Sequence, residues 1–359
     1  MDYYFINTIS KICEHSLIAK ESPLRCMIIL NPVAGGFIDK KKWEHHVKTL
    51  KKYQQKAQAN PKRQIYKNVI LNLTEGKGSA AEITKTFIER AEKDPIPFYL
   101  IISAGGDGTH REVMNTLFGV SAPIRRSITV LRLPMGTGND GADSPTLAGA
   151  LDLLLNPVHI EFAPAVQLTT AHNGTSEWKK QDFFAFNILS MGLDAYVTHM
   201  TNIKKGNLGN GYQLWIDMAA LSYESKYKVD YFDVRAFDIN NKELLSFREK
   251  LLLLAMGVTG NRTYGSQQHI LPDYRNVCGI KKMPFFRKIR IKNQVTKGKH
   301  VKNRDALLFN AHRLEVKFNQ PILAQMDGET VLLQPDDFPA IIQLTAPVIP
   351  LIKLGDEIN

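Results

Sequence analysis

The stretch "FYLIISAGGDGTHREVMNTLF", residues 98–118, decides the expected fold of this chain. Its first six residues form an apolar run that predicts a buried strand, and the spacing of the apolar residues after the glycines predicts a helix. Gly105, Gly106 and Gly108 lie between the two. A strand, a glycine-rich turn and a helix in this order are typical of one unit of a parallel α/β sheet.

The same alternation of strands and helices continues through the first half of the chain. Short buried strands that alternate with amphipathic helices predict an α/β domain with a doubly wound parallel sheet over residues 1–157. The expected strands are residues 25–30, 68–73, 98–103 and 127–133, and the expected helices include residues 41–57 and 79–93.

The pattern changes after Pro157. Extended segments follow one another without a helix between them, apart from one helix expected near Tyr212 to Ser222. This succession predicts a second, β-rich domain of antiparallel, sandwich-like character over residues 158–337. The expected strands are residues 183–190, 228–239, 250–258, 286–292, 312–318 and 339–347.

Composition narrows the classes of function. The chain has 359 residues and a formal net charge of +11, which suits an anionic partner such as a polyphosphate, a membrane surface or nucleic acid. Its three cysteines match neither a metal site nor a disulfide framework, which indicates a reducing, cytoplasmic setting. No run of about 18 apolar residues is present, so any contact with lipid is expected at the membrane surface.

Three glycine-rich loops follow three of the expected strands. They read "NPVAGG" at 31–36, "AGGDGT" at 104–109 and "PMGTGND" at 134–140. In a parallel sheet such loops lie together beyond the carboxyl ends of the strands, where ligands bind. Exposed amides near a helix start bind phosphate oxygens. One loop alone would fit ordinary turn glycines, but three favour a nucleotide site, although none matches a Walker loop or a dinucleotide fingerprint.

Asp107 in the second loop repels a bare phosphate. A carboxylate in this loop is compatible with two roles. It could bind a Mg²⁺ ion that lies between it and a polyphosphate, or it could accept a proton from an attacking hydroxyl.

These three loops, together with "FNILSMGLDAYV" at 186–197 and "MDGE" at 326–329, resemble the diacylglycerol kinase-like lipid kinases. That superfamily includes diacylglycerol, phosphatidylglycerol, ceramide and sphingosine kinases and is related to the NAD kinases. The pair "GGDGT" and "GTGND" is nearer the diacylglycerol kinase branch than the sphingosine kinase branch. The resemblance implies an ATP-binding first domain joined by the tail 338–359, a lipid-binding second domain and an active site in the cleft between them.

The resemblance also assigns roles to residues of this chain. Glu329 would be the proton acceptor, with Asp327 beside it, and Asp107 would serve the Mg²⁺ of Mg·ATP. The ATP-binding residues would be Asn31, Pro32, Val33, Ala34, Gly35, Thr74, Gly105, Gly106, Gly108, Thr109, His110, Arg111, Glu112, Gly136, Thr137, Gly138 and Asn139. The residues on the lipid side of the cleft would be Asp140, Asn187, Asp194 and Asn261.

Two interpretations of "MDGE" are open from the sequence. In an extended segment Asp327 and Glu329 would point to the same side. Alternatively, the Asp-Gly pair would form the tip of a hairpin.

The chain departs from the family pattern at an accessory metal site. Val277 and Cys278 stand where the family has an acidic pair, and neither is a ligand for Mg²⁺, which prefers oxygen. This predicts that the accessory site is absent, with Asp273 as a poorly placed substitute. Gly141 also stands where the family tends to have an aromatic residue, which suggests that the substrate end of the cleft is remodelled.

Residues 281–304 carry ten lysines and arginines and no acidic residue, with Phe285 and Phe286 among them. This basic segment fits an anionic membrane surface, with the two phenylalanines at the interface. It equally fits a solvated strand face whose phenylalanines lie in the core, and charge alone does not distinguish lipid from nucleic-acid phosphates. The resemblance favours the membrane and no specific nucleic acid. His45 and His46 are expected to face solvent.

The combined hypothesis is an ATP- and Mg²⁺-dependent lipid kinase that phosphorylates a hydroxyl of diacylglycerol or a similar lipid. It would be cytoplasmic and peripheral at the membrane, and a homodimer stays open. The alternatives are a sphingosine or long-chain-base kinase and a catalytically silent lipid- or nucleotide-binding homologue, the latter motivated by Val277 and Cys278.

Overall fold

The computed structural model divides the chain into two compact units. The first is Met1–Ala163 with Pro347–Asn359, and the second is Pro164–Ala346. The structure describes residues 2–18, 22–63, 65, 69–93, 95–96, 98–156, 158–171, 181–203, 222–265 and 268–354.

The first unit is built on a six-stranded sheet in the order β2-β1-β3-β4-β19-β5. The first five strands in this order run parallel, and β5 is antiparallel to β19. The strands are β1 Leu24–Leu30, β2 Ile70–Leu73, β3 Phe98–Gly105, β4 Ile128–Pro134, β5 Val158–Ala163 and β19 Ile349–Leu354. The helices are α1 Asp2–Cys13, α2 Gly35–Ile38, α3 Lys40–Ala57, α4 Ser79–Lys93, α5 Asp107–Phe118, α6 Ala122–Ser127 and α7 Leu147–Leu155. The predicted parallel α/β sheet is confirmed.

Burial explains why the central strands read as continuous apolar runs. Every residue of β1, β3 and β4 is buried, because helices cover both faces of a parallel sheet. The N-terminal helix α1 adds Phe5, Ile9 and Ile12 to the core of this unit, and the ring of Phe5 meets that of Phe37 edge-on at 5.1 Å.

The second unit is dominated by an eleven-stranded antiparallel sheet. Its main path runs β17-β16-β8-β10-β9-β15-β18-β6-β7, with β13 paired to β10 and β14 paired to β13. The strands of this sheet are β6 Val166–Thr170, β7 Gln181–Ala185, β8 Ile188–Gly192, β9 Tyr231–Phe237, β10 Glu243–Gly257, β13 Val277–Lys281, β14 Ala306–Phe309, β15 Arg313–Lys317, β16 Ile322–Met326, β17 Glu329–Leu333 and β18 Ala340–Leu344. Strands β11 Arg262–Tyr264 and β12 Gln268–Leu271 pair separately as a two-stranded sheet. The helices of the described part of this unit include α8 Leu193–Ile203 and α9 Phe285–Thr296. The predicted antiparallel β-rich domain is confirmed.

Strand β10 joins two parts of this sheet. Its first half pairs with β9 and alternates between exposed and partly buried side chains. Its second half, from Leu251 onwards, pairs with β8 and β13 and is buried throughout. The change from an alternating to a continuous apolar pattern along one strand therefore marks where the sheet becomes covered on both faces.

The predicted domain limits need correction at both ends of the second unit. Residues 158–163 form β5, which pairs with β19 and so belongs to the first sheet. Residues 340–344 form β18, which lies between β15 and β6 in the second sheet, so the returning tail starts at Pro347 and not at residue 338. Both errors came from assigning strands by chain order, whereas strand pairing decides the unit.

A predicted strand over residues 286–292 is wrong, because this segment lies in α9. The alternating Ile and Arg residues imitate a strand, but Pro284 precedes the helix and Ile291 is the residue that α9 buries. The helix predicted near Tyr212 to Ser222 lies outside the described residues except for Ser222.

We expect Phe5→Ala to lower the free energy of unfolding of the first unit by about 3–5 kcal/mol, because a fully buried ring is replaced by a cavity. Tyr3→Ala in the same helix is the matched control, since Tyr3 is 89% exposed and its loss should cost less than about 0.5 kcal/mol. Urea denaturation followed by circular dichroism would measure both. Equal losses in the two variants would contradict the role of α1 in the core.

Candidate active site

The three glycine loops emerge from one edge of the first sheet. Leu30 is in register with Ala104, and Gly105 with Pro134, so the strands β1, β3 and β4 end side by side. Backbone bonds hold the loop starts together, with the Asn31 N–H donating to the Ala104 carbonyl at 2.9 Å. The N–H of Thr74, after β2, donates to Leu30 at 2.9 Å. The structure thus brings the predicted ATP-binding segments to one place.

The loops touch one another through their glycines. A Cβ placed on Gly136 would lie 2.5 Å from the Cα of Gly106, so the second and third loops pack backbone against backbone. A Cβ on Gly35 would lie 2.9 Å from Oγ1 of Thr137, and the Gly36 N–H donates to the Met135 carbonyl at 2.8 Å. The three loops therefore form a single surface that side chains at these positions would force apart.

Two carboxylates flank the third loop. A Cβ placed on Gly138 would lie 3.1 Å from Oδ2 of Asp107 and 3.2 Å from Oδ2 of Asp140. The other oxygen of Asp107 accepts from the Gly141 N–H at 2.7 Å, and Asp107 opens the 12-residue helix α5 with Gly106 as its N-cap. Asp140, predicted on the lipid side, thus lies beside Asp107 in the nucleotide half.

Several predicted ATP-binding residues shape the loops through their side chains. Asn31 accepts from the Val33 N–H and donates to Oγ1 of Thr109, both at 3.2 Å. Asn139 has a positive φ of 59° and accepts from the Gly136 N–H at 2.6 Å. These side-chain amides therefore fix the conformation of the first and third loops.

Glu112 was predicted to hold phosphates, but its carboxylate binds the start of another helix. Its two oxygens accept from the N–H groups of Gly78 and Ala80 at 2.8 and 3.1 Å, at the N-terminus of α4. A carboxylate is stabilised there by the helix dipole. Glu112 therefore ties α5 to the loop after β2 that carries Thr74.

The side chain of His110, which was predicted to bind ATP, lies in the core and not at the surface of the loops. Its ring is buried, and Nδ1 lies 2.9 Å from Oγ of Ser103 on β3. Burial, helped by the nearby positive charge of Arg132, lowers the pKa of His110 from 6.5 to about 3. The imidazole is neutral at physiological pH and belongs to the packing of α5 on the sheet.

Sequence reasoning missed a buried ion pair behind the third loop. Arg132 on β4 and Asp143 are joined at 2.7 Å, and both side chains are almost inaccessible. The backbone N–H of Arg132 also donates to Asp143 at 2.7 Å, and the N–H of Asp143 donates back to the Arg132 carbonyl. An arginine inside the apolar strand "ITVLRLP" was the available signal. The pair ties the end of the glycine loop back to the strand from which it starts.

The prediction that His46 faces solvent is also wrong. Its Nε2 would lie 3.1 Å from a Cβ on Gly36 in the first loop. Burial, and then the charges of His45 and Lys42, lower the pKa of His46 to about 4. A neutral ring at physiological pH therefore supports the first loop from α3.

The "MDGE" segment forms the tip of the β16–β17 hairpin, so its interpretation as an extended segment is wrong. Asp327 and Gly328 have positive φ values of 48° and 96°, and Met326 pairs with Glu329 across the turn. The buried carboxylate of Asp327 accepts from the N–H groups of Phe186, Asn187 and Ile188, the last two at 3.1 and 3.0 Å. Asp327 thus fixes the turn to the start of β8.

Side chains of β16 and α8 hold the same turn from the other side. Gln325 accepts from the Gly328 N–H at 3.1 Å, and Asn202 donates to the Gly328 carbonyl at 2.7 Å. His199 lies 3.1 Å from Oγ1 of Thr330. Glu329 therefore begins β17 at a position that its neighbours determine closely.

The remaining residues predicted on the lipid side differ in exposure. Asp194 is partly buried and accepts from Oγ of Ser190 at 2.6 Å and from Gln325 at 3.3 Å, and desolvation raises its pKa to about 6. The amide of Asn187 donates to the Thr263 carbonyl at 3.0 Å. Asn261 is exposed in a turn with a φ of 52°.

Val277 and Cys278 lie in the core on β13. Burial raises the pKa of Cys278 to about 12, so the thiol stays neutral, and the carboxylate of Asp273 is engaged by Arg275. These side chains do not fit the accessory Mg²⁺ site of the family. Within the described residues, no group of three or more His, Cys, Asp and Glu side chains is arranged for a metal ion.

Comparison with known proteins bears on this geometry. Residues 25–160 match the family model of the diacylglycerol kinase catalytic domain. The diacylglycerol kinase of Bacillus subtilis (strain 168) is 25% identical over 322 residues, covering 88% of this chain and 92% of that protein. A crystal structure described as a diacylglycerol kinase from Bacillus anthracis str. Sterne has a TM-score of 0.52 at 16% identity, covering 91% of this chain and 96% of that chain. Another B. anthracis structure, proposed to be such a kinase, has a TM-score of 0.57 at 18% identity, covering 91% and 94%.

The matching catalytic domain makes the chain a kinase, that is, a phosphotransferase. Through residues 25–160 the chain is similar to the diacylglycerol kinase-like lipid kinases. The two solved structures support the two-unit fold.

We expect Asp327→Asn to lower the free energy of unfolding of the second unit by about 3 kcal/mol, because an amide cannot accept from all three buried N–H groups. Asp182→Asn is the matched control, since this exposed carboxylate on β7 accepts a hydrogen bond from the Thr169 hydroxyl and not from buried backbone N–H groups of the described residues. Urea titration would measure both variants. A loss no larger than that of the control would show that the Asp327 contacts do not hold the turn.

The depressed pKa of His110 predicts a pH dependence of stability. Between pH 6.5 and about 3 the His110 imidazole is protonated in the unfolded state and neutral in the folded state. The free energy of unfolding therefore falls as pH is lowered. Replacing His110 with Asn should remove up to about 1.4 kcal/mol per pH unit of this slope. Urea titrations between pH 4 and 8 would measure it, with exposed His159→Gln as control. Identical slopes for wild type and His110→Asn would rule out the effect.

Proposed function

We propose that this protein transfers the γ-phosphoryl group of Mg·ATP to a hydroxyl of diacylglycerol or a similar lipid. This proposal rests on the single surface formed by the three glycine loops, with the carboxylates of Asp107 and Asp140 beside the third loop. Exposed backbone amides next to paired carboxylates suit a polyphosphate that arrives with a divalent cation.

The nucleotide would be held mainly by backbone. The first-turn amides of α5 and the amides of the glycine loops would bind phosphate oxygens, because helix N-termini favour anions. Arg111, in the first turns of α5, has a buried Nε without a hydrogen-bond partner in the described part of the chain. Its guanidinium would add a charged donor to the phosphates.

The donor set at the third loop fits Mg²⁺, which prefers hard carboxylate oxygens. Asp107 and Asp140 would hold it. When bound, the ion neutralises charge on the transferred phosphoryl group.

Glu329 would accept the proton of the lipid hydroxyl. The hydroxyl oxygen bonds to the γ-phosphorus, the bond to the β–γ bridging oxygen breaks, ADP leaves, and the proton passes to the Glu329 carboxylate. Asp327, whose carboxylate is engaged by three backbone amides, would position this segment without itself taking the proton. The transfer requires that the hydroxyl oxygen approaches the γ-phosphorus in line with the bond that breaks.

One observation concerns the identity of the lipid, and another concerns whether the protein is active. The B. subtilis relative is named a diacylglycerol kinase, which supports diacylglycerol over a long-chain base. The neutral Val277 and Cys278 favour, as the second candidate, a homologue that binds nucleotide or lipid without turnover. The retained carboxylates at 107, 140 and 329 support the active enzyme.

Radiolabel transfer from γ-labelled ATP to diacylglycerol or sphingosine in detergent micelles with Mg²⁺ would test this function. We expect the wild-type protein to produce labelled phosphatidic acid and the Asp107→Asn variant to produce none. Glu329→Gln should lower kcat by about 10²–10⁴-fold with little change in ATP binding, because it removes a base and no phosphate contact. Exposed Glu161→Gln is the control carboxylate.

The other outcomes separate the alternatives. Label on sphingosine alone would assign a long-chain-base kinase. ATP binding by calorimetry without label on either lipid would assign the silent homologue.

A further inference from the structure

Helix α9 presents large apolar side chains to solvent. Phe286 is 83% exposed, Phe285 48% and Ile289 46%. The spacing of these residues places them on one face of the helix, while Ile291 and Val295 pack into the core beneath β12 and β13. We call Phe285, Phe286 and Ile289 the apolar tip, since they occupy the first turns of α9.

The apolar tip is not an extension of the core. The two phenylalanine rings contact each other edge-on at 5.6 Å, and the side chains stay exposed in the presence of the rest of the chain. An amphipathic helix normally turns such residues inward and its charged residues outward. A compact group of exposed aromatic and aliphatic side chains therefore indicates a surface that another phase or molecule covers.

Four of the ten cations in residues 281–304 form ion pairs within the second unit. Lys281 pairs with Glu249 at 2.9 Å, Arg287 pairs with Asp305, and Lys282 and Lys288 both meet Glu224. The charges of these four cations are balanced by carboxylates of the same unit. Pairs between exposed ions contribute little, but they reduce the charge that a partner meets.

The cations that form no ion pair in the described part of the chain have exposed side chains. Arg290 follows the apolar tip on α9, and the others lie beyond the end of the helix. They are Arg290, Lys297, Lys299, Lys302 and Arg304. We call them the free cations.

We propose that the apolar tip and the free cations form a docking surface for an anionic lipid bilayer, with the tip inserted at the headgroup level. Cations near such a surface are attracted to anionic headgroups, and apolar side chains gain by leaving water. Nucleic acid would satisfy the cations but would not explain an exposed Phe-Phe-Ile tip. The physiological use of this surface rests on the proposed lipid kinase activity, because a substrate held in a bilayer must be reached from its surface.

Vesicle sedimentation of the full chain, without ATP, tests the surface directly. We expect wild-type protein to bind vesicles of phosphatidylcholine with phosphatidylglycerol far better than phosphatidylcholine alone. Phe286→Ser should lower partitioning to the anionic vesicles about tenfold, because it removes buried apolar area. The double variant Lys297→Gln, Lys299→Gln should lower it similarly and weaken its dependence on salt.

The hairpin between β9 and β10 supplies matched controls. Ile239 is 74% exposed and Lys242 is also exposed, so Ile239→Ser and Lys242→Gln make the same chemical changes away from α9. Both should bind vesicles as the wild type does. Thermal unfolding of all variants checks that the exposed substitutions leave the fold intact.

Vesicle binding unchanged by Phe286→Ser, or equal binding to neutral vesicles, would overturn the proposal. Stronger binding to single-stranded RNA than to vesicles would also overturn it, if the double lysine variant loses this RNA binding and Phe286→Ser keeps it. Kinase assays in detergent micelles separate this result from the proposed function. Anionic vesicle binding by a protein that phosphorylates no lipid would support the surface and refute the kinase.

Discussion

The close approach of two backbones at Gly106 and Gly136 is the constraint on which the nucleotide half of the site depends. Strands β3 and β4 are hydrogen-bonded neighbours that end together, so the loops after them compete for the same space. A Cβ on Gly136 would lie 2.5 Å from the Gly106 Cα, so the third loop requires a residue without a Cβ at this position. The same packing keeps the loops after β3 and β4 beside the N-terminus of α5, where an anion is favoured.

Several carboxylates in this protein bind backbone N–H groups. Glu112 binds the start of α4, Asp143 binds β4 and Asp327 binds the start of β8, in each case by accepting backbone N–H groups. Such bonds stabilise loops that would otherwise carry unsatisfied donors. The catalytic residues of a phosphotransferase do little covalent work, so the accuracy of their placement matters most. The structural carboxylates supply that placement.

Local pattern predicted the elements well and the roles of side chains less well. The three glycine loops were predictable because strand, glycine turn and helix are encoded within a few residues, and the parallel sheet then places the loops together. Whether Glu112 faces a phosphate or the helix α4 depends on contacts between residues far apart in the chain, which periodicity does not encode. The buried position of His110 has the same origin. The error at α9 is local, because "FRKIRIK" alternates apolar and basic residues and so satisfies the strand pattern, while packing of Ile291 and Val295 selects the helix.

A count of charges along the sequence also differs from the charge that a partner meets. Residues 281–304 hold ten cations and no acid, yet Glu224 and Glu249 from earlier in the chain and Asp305 directly after the segment pair with four of them. Among the free cations, Arg290 lies within α9 and the others lie past the end of the helix. Because the apolar tip lies at the opposite end of α9 from most of the free cations, attraction to headgroups and insertion into the interface act on two separated points. Two separated points of attachment would fix the orientation of α9 on a bilayer, whereas a uniform cluster of ten cations would leave it free to rotate.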